Sequence, residues 1–431
     1  MPTHFGDGRD WFFERRFGLF VHWGLYAIPA WHEQHQYRLN IPRREYEQLI
    51  HRFNPVRYDP DAWLDLAEAT GMRYICFTTK HIDGFCLWNT AQTPYNVMHT
   101  PYGRDVLGML ADACHRRGVP LCLYYSIADM HHPNYPTAGR RYERRAPEPD
   151  DAPDLAKYLA FVRAQVRELC TNYGEIHGFW WDANVLAVDE PILLHEQDPS
   201  FNAMIRSLQP NAVINGRGFD PGDFSTPERD WDDSVNIALA FERPTEACQS
   251  IGTESWGYRA DEDYYSYSHL VRSIDKVLAK GGNYLLNAGP MADGTFPPEA
   301  VQILGVIGDW YRRVGEAFDH TTPCSELVEN RNVLLTGKGN VLYVHLNKEP
   351  VATSVVLKPL ARLPRRATLL NNGAEVEARV ELIPSSHHEG KPYLRLRNLP
   401  VNAFAGSVLV VKLEFDRPIE ELQNEHGRNT T

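Results

Sequence analysis

The run from Ile176 to Asp182, Ile-His-Gly-Phe-Trp-Trp-Asp, constrains the fold more than any other stretch of this chain. It follows a long amphipathic segment, residues 155–172, that closes at Tyr173-Gly174, where a helix C-terminus favours glycine. The run itself is short and almost wholly apolar, so it predicts a strand buried on both faces. Such strands belong to parallel sheets covered by helices. Asp182, the polar end of the run, is then either a turn residue capping a strand or a carboxylate at the mouth of a barrel, walled by an aromatic ring.

The same unit recurs along the chain. Strands are predicted at residues 17–24, 74–79, 121–125, 176–181, 212–215 and 283–290, with a further strand or strand end in 250–258. Helices are predicted at 62–69, 105–117, 155–172, 201–208, 267–278 and 298–318, punctuated by Gly71, Gly118 and Gly281-Gly282. Residues 130–153, rich in His and Pro, form a candidate rim loop or lid, and residues 222–228 read as a loop. About seven strands alternating with helices predict a (β/α)₈-like (TIM) barrel. A doubly wound open sheet is the runner-up, but no GxGxxG follows the first strand.

After about His320 the texture changes to short, β-branched segments such as Val341 to Leu346 and Ser407 to Leu413, separated by turn signals such as Asn371-Asn372-Gly373. These predict an antiparallel β-sandwich. The expected division is a catalytic barrel over 1–320, a sandwich over 321–415 and a charged, frayed tail over 416–431.

Composition narrows the function. A formal charge of −12 argues against nucleic acid or an anionic membrane surface as the main partner. No apolar run approaches the roughly 20 residues of a membrane helix. The N-terminus lacks a basic segment followed by an apolar one, and the seven cysteines are odd in number and widely spaced. Both features lead to the expectation of a reducing, cytoplasmic setting. With no CxxC and no HExxH, no metal site is expected.

The polar residues that stand out all fall at predicted strand ends: His22-Trp23, Lys80-His81, Tyr124-Tyr125, Asp182 and Arg217. Taken singly, each has a bland structural role. In a barrel those ends converge on one face, where active sites are built. An ionised Asp beside tryptophans, with a second acid from a later loop, is the equipment of glycoside hydrolysis. Glu228, Glu242, Glu246 and Glu254 are the candidates for that second acid, and the residues alone do not choose among them.

Phe17-Gly-Leu-Phe-Val-His-Trp-Gly24, Lys80-His-Ile-Asp-Gly-Phe85, Phe179-Trp-Trp-Asp182, Ser225-Thr-Pro-Glu228, Ser255-Trp-Gly-Tyr258 and Gly281-Gly-Asn-Tyr-Leu-Leu-Asn-Ala-Gly-Pro290 occur in one order over residues 11–318. In that order they resemble the α-L-fucosidases of glycoside hydrolase family 29. The resemblance implies a (β/α)₈-like domain with a C-terminal β-sandwich, retaining release of L-fucose from a fucosylated oligosaccharide or glycoconjugate, and no metal or organic cofactor. By the same resemblance Asp182 is the nucleophile, and Glu228 is the acid/base with Glu246 in reserve. His22, Glu33, His81, Tyr125, Trp180, Arg217 and Trp256 bind or wall the sugar. Two departures stand out: Ile82 occupies a position where the family usually has His, and Glu33-Gln-His-Gln-Tyr37 lacks the family's Trp. They keep open a fucose-like sugar such as an α-L-galactoside; a catalytically silent carbohydrate-binding protein of the same fold is a separate alternative. Oligomeric state, homo-oligomer included, stays open.

Overall fold

The computed structural model describes residues 4–135, 148–183, 198–229, 240–350 and 352–422. Part of the 130–153 loop and the last residues of the tail lie outside the described residues. Seven parallel strands curl into one sheet: β1 (Phe17–Val21), β2 (Ile75–Lys80), β3 (Leu121–Ser126), β4 (Gly178–Asp182), β5 (Val213–Ile214), β6 (Glu246–Ser250) and β7 (Asn283–Ala288). Their order is β5-β4-β3-β2-β1-β7-β6.

The two ends of that order, β5 and β6, do not pair with each other. Residues 224–228 run between them instead, with parallel bridges from Asn215 to Phe224, Ser225 to Thr245 and Glu228 to Cys248. The segment expected to be a loop is therefore an irregular strip that closes the barrel. The strand expected in residues 250–258 begins earlier, at Glu246. That acid interrupts the apolar pattern from which the strand start was read.

Among the described residues, six helices longer than two turns cover the sheet: α1 (Pro60–Thr70), α2 (Val106–Arg117), α3 (Leu155–Asn172), α4 (Ser200–Leu208), α5 (Tyr267–Ala279) and α6 (Pro298–Val314). Local chemistry sets their ends. Asp59, Asp105, Asp154 and Ser266 accept first-turn backbone N–H groups as N-caps. Gly71 and Gly118 end α1 and α2 in the left-handed conformation, at φ 89° and 63°.

Because side chains alternate along each strand, the sheet splits the core in two. Phe20, Tyr74, Cys76, Cys122, Tyr124, Trp180, Cys248 and Leu285 fill the barrel interior. Leu19, Val21, Phe77, Leu123, Tyr125, Phe179 and Trp181 pack outward against the helices. All seven cysteines are buried free thiols.

The C-terminal part is a two-sheet antiparallel sandwich. One sheet has six strands, centred on Leu409–Glu414 between Arg366–Leu369 and Val341–Leu346, and the other pairs Glu377–Leu382 and Val355–Val356 with Pro392–Arg397. Leu335, Leu342, Val344, Leu394, Leu396 and Val411 form its core. It docks on the barrel helices. Trp310 Nε1 donates to Val408 O at 3.1 Å, and Asp275 Oδ1 meets His345 Nδ1 at 2.7 Å, both side chains fully buried. Where fraying was expected, Ile419 and Leu422 are instead buried in the sandwich core.

Candidate active site

Arg217 organises the cluster at the C-terminal mouth of the barrel. Its Nη1 lies 3.1 Å from Asp182 Oδ1 and its Nη2 lies 3.0 Å from Glu228 Oε2. One planar guanidinium thus holds two carboxylates that are 46 residues apart (228 − 182) in sequence. The Arg217 guanidinium also stacks over the Trp180 ring, 4.7 Å from its centroid. Arg217 Nε donates to Thr226 Oγ1 at 2.6 Å and Nη2 to Thr226 O at 2.9 Å, which fixes the fork against the closing strip.

Asp182 ends β4, facing inward in phase with Trp180. Tyr124 donates its hydroxyl to Asp182 Oδ2 at 2.8 Å. Burial alone would raise the Asp182 pKa, but Arg217, the Ala183 backbone N–H, Tyr124 and His81 outweigh it and hold the carboxyl below its ordinary range. The group is therefore an ionised carboxylate at neutral pH. Immediately after each carboxylate the backbone turns into the left-handed region, at Ala183 (φ 51°) and Arg229 (φ 55°). Neither residue is glycine, so each turn carries strain of the kind that concentrates at functional sites.

A cavity of ≈ 620 Å³ opens above this cluster. His22, Glu33, His81, Trp180, Asp182, Arg217, Glu228 and Trp256 all line it. Asn287 donates from Nδ2 to Trp256 O at 2.7 Å, so its Oδ1 faces His22 Nδ1 at 2.7 Å. His22 therefore carries its proton on Nδ1 and keeps Nε2 as an acceptor. Burial, followed by the neighbouring His81, pushes the His22 pKa well down, so the ring is neutral. Burial lowers His81 as well, and its Nδ1 has no hydrogen-bond partner among the described residues. Glu33 Oε2 accepts from Ser255 Oγ (3.0 Å) and from the Trp256 backbone N–H (2.9 Å), tying the Trp256 loop to the loop after β1.

Tyr125 is not brought to this cavity. It faces outward, where its hydroxyl receives Lys80 Nζ at 3.0 Å and donates to Gln165 Oε1 at 2.7 Å. Tyr124, one residue earlier, takes the place at the site that had been expected of Tyr125. Of the four candidate second acids, Glu228 and Glu254 line the cavity. Glu242 is exposed outside it, and Glu246 is buried inside the barrel and absent from the lining. Ile82 is also buried outside the cavity, whereas Gln34 lines it. Residues not anticipated include Phe20, His32, Arg38, Arg229 and Cys248. Among the described residues, no group of three or more His, Cys, Asp or Glu could hold a metal ion, and no helix is long and apolar enough to cross a membrane.

A neutral histidine pair, aromatic walls and two carboxylates on one arginine form a site suited to a sugar. The family profile described as Alpha-L-fucosidase matches residues 6–316. The tissue α-L-fucosidase of Bos taurus is 27% identical over 400 residues, covering 87% of this chain and 82% of the relative. α-L-Fucosidase isoenzyme 1 from Paenibacillus thiaminolyticus superposes with a TM-score of 0.82 at 35% identity, over 95% of this chain and all (100%) of that one. A GH29 α-L-fucosidase of Bacteroides thetaiotaomicron, trapped as a covalent intermediate with 2-fluoro-fucosyl fluoride, superposes with a TM-score of 0.77 at 26% identity, covering 94% of this chain and 95% of that one. The architecture and the sequence match agree over the whole barrel: this chain belongs to the α-L-fucosidase family of glycoside hydrolases.

Proposed function

We propose that this protein hydrolyses terminal α-L-fucosyl linkages of oligosaccharides or glycoconjugates with retention of configuration. The observation that carries the reading is the pair of carboxylates, Asp182 and Glu228, on the two terminal nitrogens of Arg217. In a retaining mechanism one carboxylate attacks the anomeric carbon while the other donates a proton to the leaving oxygen. Asp182 is held ionised and in place, which suits the attack. Glu228 is the more exposed of the two, its side chain 42% accessible, so it can leave Arg217, take up a proton from solvent and present it to the leaving oxygen.

In the first step Asp182 Oδ forms an ester with the anomeric carbon as the glycosidic bond breaks. The Glu228 proton passes to the departing oxygen. In the second step the Glu228 carboxylate takes a proton from water, whose oxygen displaces Asp182 and releases L-fucose. His22, His81, Glu33, Trp180 and Trp256 bind or wall the sugar in this reading. A trapped covalent intermediate in the Bacteroides relative supports the two-step course.

The test is hydrolysis of p-nitrophenyl α-L-fucoside beside the α-L-galactoside, by wild type, Asp182→Gly and Glu228→Ala. Activity lost in Asp182→Gly and restored by azide supports the nucleophile, and undiminished turnover removes that role. Gln34, which lines the cavity where the family's Trp is missing, supports the galactoside as the second reading. A preference for that substrate would establish it. Binding of free L-fucose without turnover of either glycoside would leave a silent binding protein.

A further inference from the structure

Glu246 is a carboxyl that this reaction leaves without a task. It lies in the barrel interior on β6, 3% exposed, two residues before Cys248 and so one layer below the cavity. Carboxylates are almost never buried this fully unless paired, yet no basic side chain pairs with it among the described residues. Two neutral donors hold it instead. Trp180 Nε1–H donates to Oε1 at 2.9 Å and the Tyr74 hydroxyl donates to Oε2 at 2.6 Å.

Tyr74 reaches Glu246 only because β1 leaves it a path. A Cβ added at Gly18 would sit 2.4 Å from Tyr74 Cζ, closer than any real contact. Glycine inside a strand weakens the strand, and it recurs where another group must approach closely. The interior thus gives up a side chain on β1 so that the phenol can meet Glu246.

Trp180 carries the connection upward. The Arg217 guanidinium stacks over its ring, and the Tyr124 ring lies parallel to it, with centroids 5.7 Å apart and planes at 20°. Among the described residues, Arg217 and Tyr124 are the two side chains that hydrogen-bond Asp182. The indole is therefore a shelf on which both supports of the carboxylate rest, and its edge is pinned from below by Glu246.

We propose that Glu246 is a positioning residue: by anchoring the Trp180 indole N–H it sets the height and tilt of Arg217 and Tyr124 against Asp182. It takes no part in proton transfer to the leaving group, since both its oxygens are engaged below the cavity. A carboxyl suits the place because it offers two acceptors, whereas an apolar residue would leave two buried donors unpaired. This assignment rests on the reading of the cavity as a fucosidase site.

The experiment compares wild type, Glu246→Gln, Glu246→Leu and Tyr74→Phe in two readouts. The first is kcat and KM on aryl α-L-fucosides with strongly and weakly activated leaving groups. The second is the Trp180 indole N–H resonance, assigned with Trp180→Phe, together with calorimetry on free L-fucose. Glutamine keeps an acceptor for Trp180, and its amide can donate to the Tyr74 oxygen, so Glu246→Gln is expected within about threefold of wild-type kcat. Glu246→Leu is expected to lose on the order of a hundredfold in kcat, equally on both leaving-group classes, as a displaced support does. Its indole resonance should shift and its L-fucose affinity fall. If Glu246→Leu does not fold, Tyr74→Phe carries the test with a smaller loss of the same pattern.

Three results would overturn the assignment. One is a Glu246→Gln variant that fails on poor leaving groups, spares activated ones and is rescued by azide, which would make Glu246 the acid/base. Another is wild-type kcat in folded Glu246→Leu or, where that variant does not fold, in Tyr74→Phe. The third is an indole resonance that is unmoved in the leucine variant. A wild type with no turnover would instead sink the fucosidase reading, and the resonance and the calorimetry would still judge Glu246.

Discussion

The Tyr124 hydroxyl lies 2.8 Å from Asp182 Oδ2, reaching diagonally along the β3–β4 ladder. In register Tyr124 faces Trp180 and Ser126 faces Asp182, so the phenol spans one inward-facing step. A hydrogen bond to an ionised group contributes about 1.5–3 kcal/mol. Tyr124→Phe is expected to lower kcat roughly ten- to a hundredfold. It also removes a donor that favours the ionised form, so the acid limb of the pH–rate profile should move to higher pH. The paired control is Tyr125→Phe. Its hydroxyl serves Lys80 and Gln165 outside the barrel wall, so it should lower Tm and leave kcat within about twofold.

Arg217→Lys keeps the charge and loses the fork. A single ammonium cannot reproduce two parallel contacts to different carboxylates plus the stack on Trp180. We expect kcat to fall on the order of a hundred- to a thousandfold. Asp182 would lose part of what holds its pKa down, so activity should require higher pH than in wild type. Steady-state kinetics across pH check both outcomes, and a variant with an unmoved acid limb would contradict the second.

Lys80 and Asp129 form a buried pair, Nζ to Oδ2 at 3.0 Å, with side chains 0% and 3% exposed. Breaking such a pair by removing one partner costs about 3–5 kcal/mol. Lys80→Met should destabilise by that order in urea titration. Burial would raise Asp129, but Lys80 dominates among the opposing groups and holds it down to about 2. A carboxyl lowered in the folded state contributes stability above its unfolded pKa, and that share is lost as pH falls toward about 2. Lys80→Met should therefore flatten the acid limb of stability against pH.

Glu246 has the opposite sign. Burial pushes it up to about 7 despite the hydrogen bonds from Tyr74 and Trp180. A carboxyl raised on folding contributes stability that is complete below its unfolded pKa and declines as pH rises through about 7. Wild type should therefore lose a few kcal/mol, by linkage, between about pH 4.5 and 8 relative to Glu246→Gln. Urea denaturation of both proteins across that range measures it. Parallel curves would show that the carboxyl does not titrate there.

Much of the frame was legible because local chemistry speaks plainly at element ends. The span of α3, residues 155–172, is legible from its amphipathic pattern and its Tyr173-Gly174 stop. Asp182, His22, His81 and Arg217 were legible as strand-end polar residues. The choice between Tyr124 and Tyr125 was not, because a strand apolar on both faces carries no alternation to show which side chain points inward. The start of β6 was hidden by Glu246, a charged residue type in a wholly buried strand. The strip at 224–228 was hidden by its Ser-Thr-Pro composition, which resembles a turn and in fact makes only isolated bridges.

That strip gives the two carboxylates different mechanical standing. Asp182 is riveted into the β3–β4 ladder opposite Ser126, so moving it means rebuilding the barrel wall. Glu228 hangs from a seam stitched at only a few points, and the seam can be re-cut while the wall stands. In this scaffold the attacking group is a fixture and the second acid is an exchangeable part. Grafted segments at the seam are the place to alter how the leaving group is received without disturbing the carboxylate that attacks.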